Sequence, residues 1–240
     1  MMDIKALVEK YERGSKVNFD HILKKVIESW KEDEIKPTVL MHSCCAPCST
    51  VMLEEMVKVA DVTVYFSNSN IYPKSEYERR ADVQEKFIND FNESTSSNVK
   101  FIEAPYKPNE FVKMVKENNL QNEPEGGKRC TACFDMRLDS VAAKAQELGF
   151  DYFGSALTLS PHKNSQVINN VGFEVQKFYT TKYLPTDFKK NNGYRRSIEI
   201  CNTYDVYRQC YCGCIFAAKE QGVDLRKINE EAKAYLQDKK

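Results

Sequence analysis

The chain has 240 residues, of which 42% are hydrophobic and 29% charged, and its 35 basic side chains balance 35 acidic ones. This composition is typical of a soluble globular protein, and at about 150 residues per domain the length suits one large domain or one domain with additions. A net charge of zero excludes nucleic-acid binding through bulk charge, so any such binding needs a local basic face.

Residues 1–36 predict an N-terminal helical extension of two amphipathic helices. The opening residues show no apolar signal-peptide stretch, and no run approaches the roughly 18 apolar residues of a membrane span. We therefore expect a cytoplasmic protein with no membrane partner. The apolar residues at helical spacing are Ile4, Leu7, Val8 and Tyr11, then Phe19, Ile22, Leu23, Val26, Ile27 and Trp30.

Strands alternate with helices from residue 37 onward. The alternation predicts an α/β fold in which helices cover both faces of a parallel sheet, with residues 37–240 as a single catalytic domain. Ligands of such sheets bind beyond the carboxyl ends of the strands, and Cys44 and Cys45 lie at the end of the first strand. The predicted strands are 38–44, 61–67, 98–103 and 151–155, and the predicted helices are 49–59, 74–91, one from 109, and 130–148.

The alternation is lost after about Leu159, before a C-terminal helical segment that begins near Leu225. Residues 177–196 carry six basic side chains against Asp187 alone, a net charge of +5, with aromatic residues between them. Basic side chains contact phosphate and aromatic rings stack on unpaired bases, so this stretch is a candidate RNA-binding face. A solvated face over packed tyrosines is an equally good explanation. The candidate substrate-binding residues here are Lys189, Lys190, Tyr194, Arg195 and Arg196, and His162 in the preceding loop could also reach a substrate.

Seven of the nine cysteines lie in three groups, which in a reducing compartment indicates metal or redox chemistry. A strand-to-helix turn stabilises thiolates through free N–H groups and the helix dipole. The CxxC spacing occurs in zinc and iron–sulfur sites alike, whereas a CxC disulfide closes a small, strained ring typical of labile redox pairs. Buried apolar cysteines are the alternative. The groups are Cys44, Cys45 and Cys48; Cys130 and Cys133; and Cys212 and Cys214.

Five motifs follow one another between about residues 37 and 219. They are His42–Cys48, Asn70–Pro73 followed by Glu76, Tyr77 and Arg80, Gly127–Phe134, Ser160–Lys163, and Tyr211–Cys214. Together, and in this order, they resemble the motifs of the QueH family of epoxyqueuosine reductases.

The resemblance implies a fold of the adenine-nucleotide-hydrolase-like (HUP) type and a reductive reaction on tRNA. The epoxide oxygen of epoxyqueuosine at the wobble position would leave as water, with electrons from an unknown donor. Cys44, Cys45, Cys130 and Cys133 match the family's [4Fe–4S] ligands, and Cys212 with Cys214 matches its redox pair. A second iron is expected beside the cluster, with Cys48 as a candidate ligand, although some members have Asp at that position.

Two other functions fit parts of the sequence. One is an ATP-using tRNA-modifying or thiolating enzyme of the same fold, which usually has a glycine-rich phosphate loop after the first strand. Residues 44–48 have the sequence Cys-Cys-Ala-Pro-Cys instead, which argues against ATP. The other is a zinc-stabilised RNA-binding module without catalysis.

Overall fold

The computed structural model describes residues 2–12, 14 and 16–239. Within these residues, five strands form one sheet in which every pair of neighbours is parallel. The strands are β1 (Thr38–His42), β2 (Asp61–Phe66), β3 (Lys100–Glu103), β4 (Tyr152–Ser155) and β5 (Lys182–Tyr183), and their order is β3-β2-β1-β4-β5.

Helices pack around the sheet, so the predicted α/β class is confirmed. A short 3₁₀ turn, Ala156–Leu159, follows β4. The helices are α1 (Ile4–Tyr11), α2 (Phe19–Glu32), α3 (Ala46–Met56), α4 (Lys74–Thr95), α5 (Pro108–Glu117), α6 (Lys128–Leu148), α7 (Ser165–Gln176), α8 (Gly193–Thr203), α9 (Ile215–Glu220) and α10 (Leu225–Gln237).

Strand β1 lies at the centre of the sheet and determines where a ligand can bind. Its interior residues 39–41 are fully buried, as expected for a strand covered on both faces. His42 is level with Tyr65 of β2 and Ser155 of β4, so the carboxyl ends of these strands meet at one edge. The winding of the sheet reverses between β1 and β4, and a ligand crevice is expected at that point.

The prediction that the alternation ends after Leu159 is wrong, because α7 and β5 add another helix and strand. Helix α7 has a weak apolar pattern since its buried face includes Asn169 and Gly172. Asn169 donates to the carbonyl of Thr186 at 2.9 Å, and Gly172 lies against the ring of Tyr183. Contacts with distant residues therefore allow a polar and a small residue at buried positions of this helix.

Helix α3 begins at Ala46, three residues before the predicted start at Ser49. Pro47 is compatible with the first helical turn because the N–H that proline lacks would have no partner there. The earlier start places Cys48 inside the first turn of α3 and Cys45 at the N-cap position, where its side chain makes no capping hydrogen bond.

The N-terminal helices form as predicted and pack into the main hydrophobic core. Trp30 of α2 is 2% exposed, and its indole N–H donates to the hydroxyl of Tyr152 in β4 at 3.2 Å. The backbone N–H and C=O of Val17 both bond the side chain of Gln166. Among the described residues, no helix is both long and apolar enough to cross a bilayer.

Candidate metal and redox centre

Cys44, Cys45 and Cys48 converge at the turn between β1 and α3 and are called here the cysteine trio. Their Sγ atoms are 3.6 Å (44–45), 3.4 Å (44–48) and 3.1 Å (45–48) apart, and all three residues are buried. Cys45 has an extended backbone, with φ −176° and ψ 156°, and directly precedes the first residue of α3. Metal–sulfur bonds of 2.3 Å place tetrahedral ligands about 3.8 Å apart, so the trio fits around one metal ion with little movement.

One cysteine of the trio, Cys44, favours the thiolate form. Hydrogen bonds with Cys45 and Cys48 keep the pKa of Cys44 well below its ordinary value, with a smaller effect from Lys163 and Arg137. Burial raises the pKa of Cys45 to about 12. A metal ion binds thiolates, so it would replace the remaining protons of the trio.

His42, directly before the trio, supports this turn from inside the sheet. Its ring nitrogens lie 3.2 Å from Ser155 Oγ and 3.1 Å from the carbonyl of Ser67. Burial lowers the pKa of His42 to about 4, so the ring is neutral near pH 7. Both nitrogens have protein partners, which leaves His42 an orienting role.

Cys130 and Cys133, at the start of α6, lie apart from the trio. In the described part of the chain, the group of potential ligand atoms within 4.8 Å of one another contains the trio but neither of these residues. Cys130 Sγ accepts from the N–H of Gly126 at 3.2 Å, and buried Cys133 accepts from Arg137 Nη2 at 3.2 Å.

Cys212 and Cys214, called the CxC pair, lie against the cysteines of α6. The backbone of Gly213 between them has φ +103°, a region that only glycine adopts readily. A hydrogen bond with the Cys214 thiol lowers the pKa of Cys212 to about 6, and the ammonium of Lys163 acts in the same direction. The lowered pKa favours the thiolate form of Cys212, which is the form that attacks disulfides and electrophiles.

Two neighbouring cavities are lined by these cysteine groups. The inner cavity, of about 90 Å³, is lined by the CxC pair and by both cysteines of α6. A larger cleft of about 400 Å³ is lined by Cys48 of the trio and by Cys212. Cys212, His162 and Lys163 line both cavities, so these residues form a wall that the two cavities share.

Comparison with known proteins identifies the family. The model of the family described as "Epoxyqueuosine reductase QueH" matches residues 39–220. The chain belongs to the QueH family. Proteins with this name from Staphylococcus aureus and Streptococcus pyogenes are 58% and 56% identical, over 99% and 100% of this chain and 98% and 93% of their own length. The one from Thermotoga maritima is 35% identical over 77% of this chain and 92% of its own length.

The family assignment confirms the predicted resemblance and, with it, the expected class of oxidoreductase. Helices α1 and α2 lie outside the residues that match the QueH model, in agreement with the extent of the motifs.

The basic segment 177–196 contributes to this QueH cleft in different ways. Tyr194, 39% exposed, lines the cleft together with His162. The ammonium of Lys189 instead donates to the carbonyl of Lys163 at 2.5 Å and therefore anchors the loop that carries His162. Several of the predicted aromatic residues, among them Tyr183 and Phe188, belong to the hydrophobic core.

The remaining cations of the segment lie outside the cleft. Arg196 is paired with Glu54 at 2.6 Å and with Glu199 at 3.1 Å. The side chain of Arg195 is 82% exposed and lies 3.4 Å from Glu199, and Lys190 is exposed. Nearby carboxylates therefore offset part of the +5 charge of the sequence.

Sequence reasoning missed Gln209, which connects the CxC segment to the trio. Its Nε2 donates to Cys45 Sγ at 2.8 Å, while its Oε1 is buried. Arg208, which belongs to the basic and aromatic stretch before the CxC pair, lines the cleft and donates to the Tyr194 hydroxyl at 3.3 Å. For Gln209, its position just before the CxC pair was the only signal in the sequence.

Proposed function

We propose that this protein is an epoxyqueuosine reductase that removes the epoxide oxygen of epoxyqueuosine at the wobble position of tRNA. The observation that carries the proposal is the 400 Å³ cleft, whose wall holds both a cysteine of the trio and Cys212 of the CxC pair. The names of the related proteins supply the substrate class.

The donor set is suitable for an iron–sulfur cofactor. Cys44, Cys45, Cys130 and Cys133 would hold a [4Fe–4S] cluster, and Cys48 would be a ligand of an adjacent mononuclear iron. Four of these five cysteines are buried, and thiolates are the ligands that such centres prefer. A bound cluster supplies one-electron transfer.

The CxC pair accounts for the two electrons and for one of the two protons of the reaction. Reduction of an epoxide to an alkene and water consumes two electrons and two protons. The Cys212 thiolate and the Cys214 thiol release two electrons and one proton when they form a disulfide, so this pair, one further proton and one epoxide give one disulfide, one alkene and one water. An external reductant must then reduce the Cys212–Cys214 disulfide, and a disulfide in so small a ring is readily reduced.

Side chains around the cleft would orient the substrate and supply the proton. Lys163 Nζ and the His162 ring lie on the loop that lines both cavities, so we assign the proton for the leaving oxygen to this loop. Asp135, the residue after the Gly127–Phe134 motif, is exposed and is not among the residues that line the cleft. Tyr194 would stack on a base of the anticodon loop, and Lys190, Arg195 and Arg196 would contact phosphates near it.

The test measures loss of epoxyqueuosine from tRNA by nucleoside mass spectrometry, with anaerobically reconstituted protein and a chemical reductant. Cys212→Ser and Cys214→Ser are expected to lose multiple turnover while still binding tRNA. Cys210→Ser is the matched control, because Cys210 is two residues away and exposed. Full turnover by Cys212→Ser would exclude the redox role of the pair.

Metal analysis of the same samples tests the cofactor independently. A brown protein that contains iron and sulfide is expected. A colourless protein that contains one zinc ion per chain and has no reductase activity would instead favour a zinc-stabilised RNA-binding module. The Sγ atoms of the trio are also close enough to one another to bind a zinc ion.

A further inference from the structure

Glu76 and Arg80 form a buried ion pair in the first half of α4, and the reaction outlined above does not use it. Arg80 Nε lies 2.7 Å from Glu76 Oε1, and neither side chain is more than 1% exposed. Arg80 Nη1 and Glu76 Oε2 find no hydrogen-bond partner among the described residues. Replacement of a buried ion pair by apolar residues of similar volume is often neutral or stabilising, so stability alone is a weak explanation of this arrangement.

The pair holds both ends of the segment that leads to the CxC pair. The hydroxyl of Tyr207 donates to Glu76 Oε1 at 3.2 Å, and Arg80 Nη2 donates to the carbonyl of Tyr211 at 3.2 Å. Between these two attachments lies Gln209, whose amide contacts Cys45 Sγ. The same segment thus contacts the ion pair of α4 and the cysteine trio.

The CxC pair itself lies directly against this part of the molecule. Ile71 forms an antiparallel bridge with Cys214, and the N–H of Tyr72 donates to the carbonyl of Gly213 at 2.9 Å. A Cβ atom at position 213 would lie 3.2 Å from Arg80 Nη1, so the guanidinium faces the backbone between the two cysteines.

We propose that Glu76 and Arg80 are positioning residues that fix the CxC pair beside the cysteine trio, so that electrons pass between the two groups. The proposal rests on the proposed reductase function. Each residue acts through the 207–214 segment, and neither lines the cleft.

The test uses the reconstituted holoenzyme and the double variant Glu76→Leu/Arg80→Met, which removes both charges together and should therefore fold. We expect kcat to fall about 10- to 100-fold with an unchanged KM for tRNA, because misplacement of reacting groups lowers the rate of the chemical step. Iron and sulfide contents should stay at the wild-type level. Alkylation of Cys212 by iodoacetamide, followed by mass spectrometry, should accelerate about tenfold as the released segment opens locally.

Two further variants calibrate the result. Arg80→Lys keeps the charge but loses the planar, two-pronged donor geometry, so it should give intermediate kcat and alkylation rates. Lys86→Met, on the same helix, removes an exposed cation paired with Asp90 and should match the wild type in both measurements.

The alkylation rate separates this proposal from the proposed function. If the folded double variant shows wild-type alkylation of Cys212, the positioning role is overturned, whatever its kcat. If the wild type shows no reductase activity, the proposed function fails, and faster alkylation of the variant still supports the structural attachment.

Discussion

Replacement of Gly213 by alanine tests whether the CxC pair needs its observed conformation. The backbone there has φ +103°, and a sparsely populated conformation costs a non-glycine residue about 1–3 kcal/mol. The new Cβ would lie 2.7 Å from Ile71 Cγ1 and 3.2 Å from Ile71 Cα, and overpacking of this kind adds about 1–3 kcal/mol. At about 1.4 kcal/mol per factor of ten, even the lower sum of roughly 2 kcal/mol reduces the native loop population about thirtyfold.

Because the CxC segment lies outside the main hydrophobic core, a local shift should relieve this strain without global unfolding. The expected result is a loss of epoxyqueuosine turnover of about thirtyfold or more, with a melting temperature and an iron content close to wild type. Gly222→Ala is the matched control, since Gly222 has φ +66° and nothing within 4 Å of its ideal Cβ. Equal losses in the two variants, or full activity in Gly213→Ala, would refute the reasoning.

Three further changes test other parts of the structure. Trp30→Ala should lower the free energy of unfolding by about 3–5 kcal/mol in urea denaturation followed by circular dichroism, because α2 shares the main core; a change below about 1 kcal/mol would show that the extension is dispensable. Arg137→Met removes the cation that contacts Cys133 Sγ and should weaken metal binding about 10- to 100-fold in competition with a chelator; an unchanged midpoint would contradict this. Burial raises the pKa of Asp187, so the folded state binds this proton more tightly and loses stability as the pH rises above the ordinary value near 4. The melting temperature of Asp187→Asn should therefore rise relative to that of the wild type as the pH increases from about 4 to about 7. Parallel curves of melting temperature against pH would exclude the effect.

The sequence was sufficient to predict the regions in which the buried apolar residues recur at the spacing of the helix or strand that they belong to. Phe19, Ile22 and Trp30 recur at helical spacing, and they lie in the core as expected. Helices α7 and α8 were not recognised, because buried Asn169 and Ser197 find their partners in distant residues such as Thr186 and Pro47.

The same distinction applies to the candidate site. The trio could be anticipated because its members share one turn of the chain. The approach of the α6 cysteines to the CxC pair brings together segments about 80 residues apart, which no local pattern encodes. The contact between Gln209 and Cys45 and the attachment of Tyr211 to Arg80 are also tertiary, so no local pattern in the sequence indicates either of them.

The anchoring of the His162 loop by Lys189 has a consequence for how basic residues of one segment can be distinguished. A side chain that neutralises an RNA phosphate releases counterions, so its removal should make tRNA binding less dependent on ionic strength. Exposed Arg195 should behave in this way. The ammonium of Lys189 is occupied by backbone carbonyls, so its loss should lower activity while the slope of affinity against salt concentration stays the same. Ionic strength can therefore separate residues that contact tRNA from residues that shape the cleft.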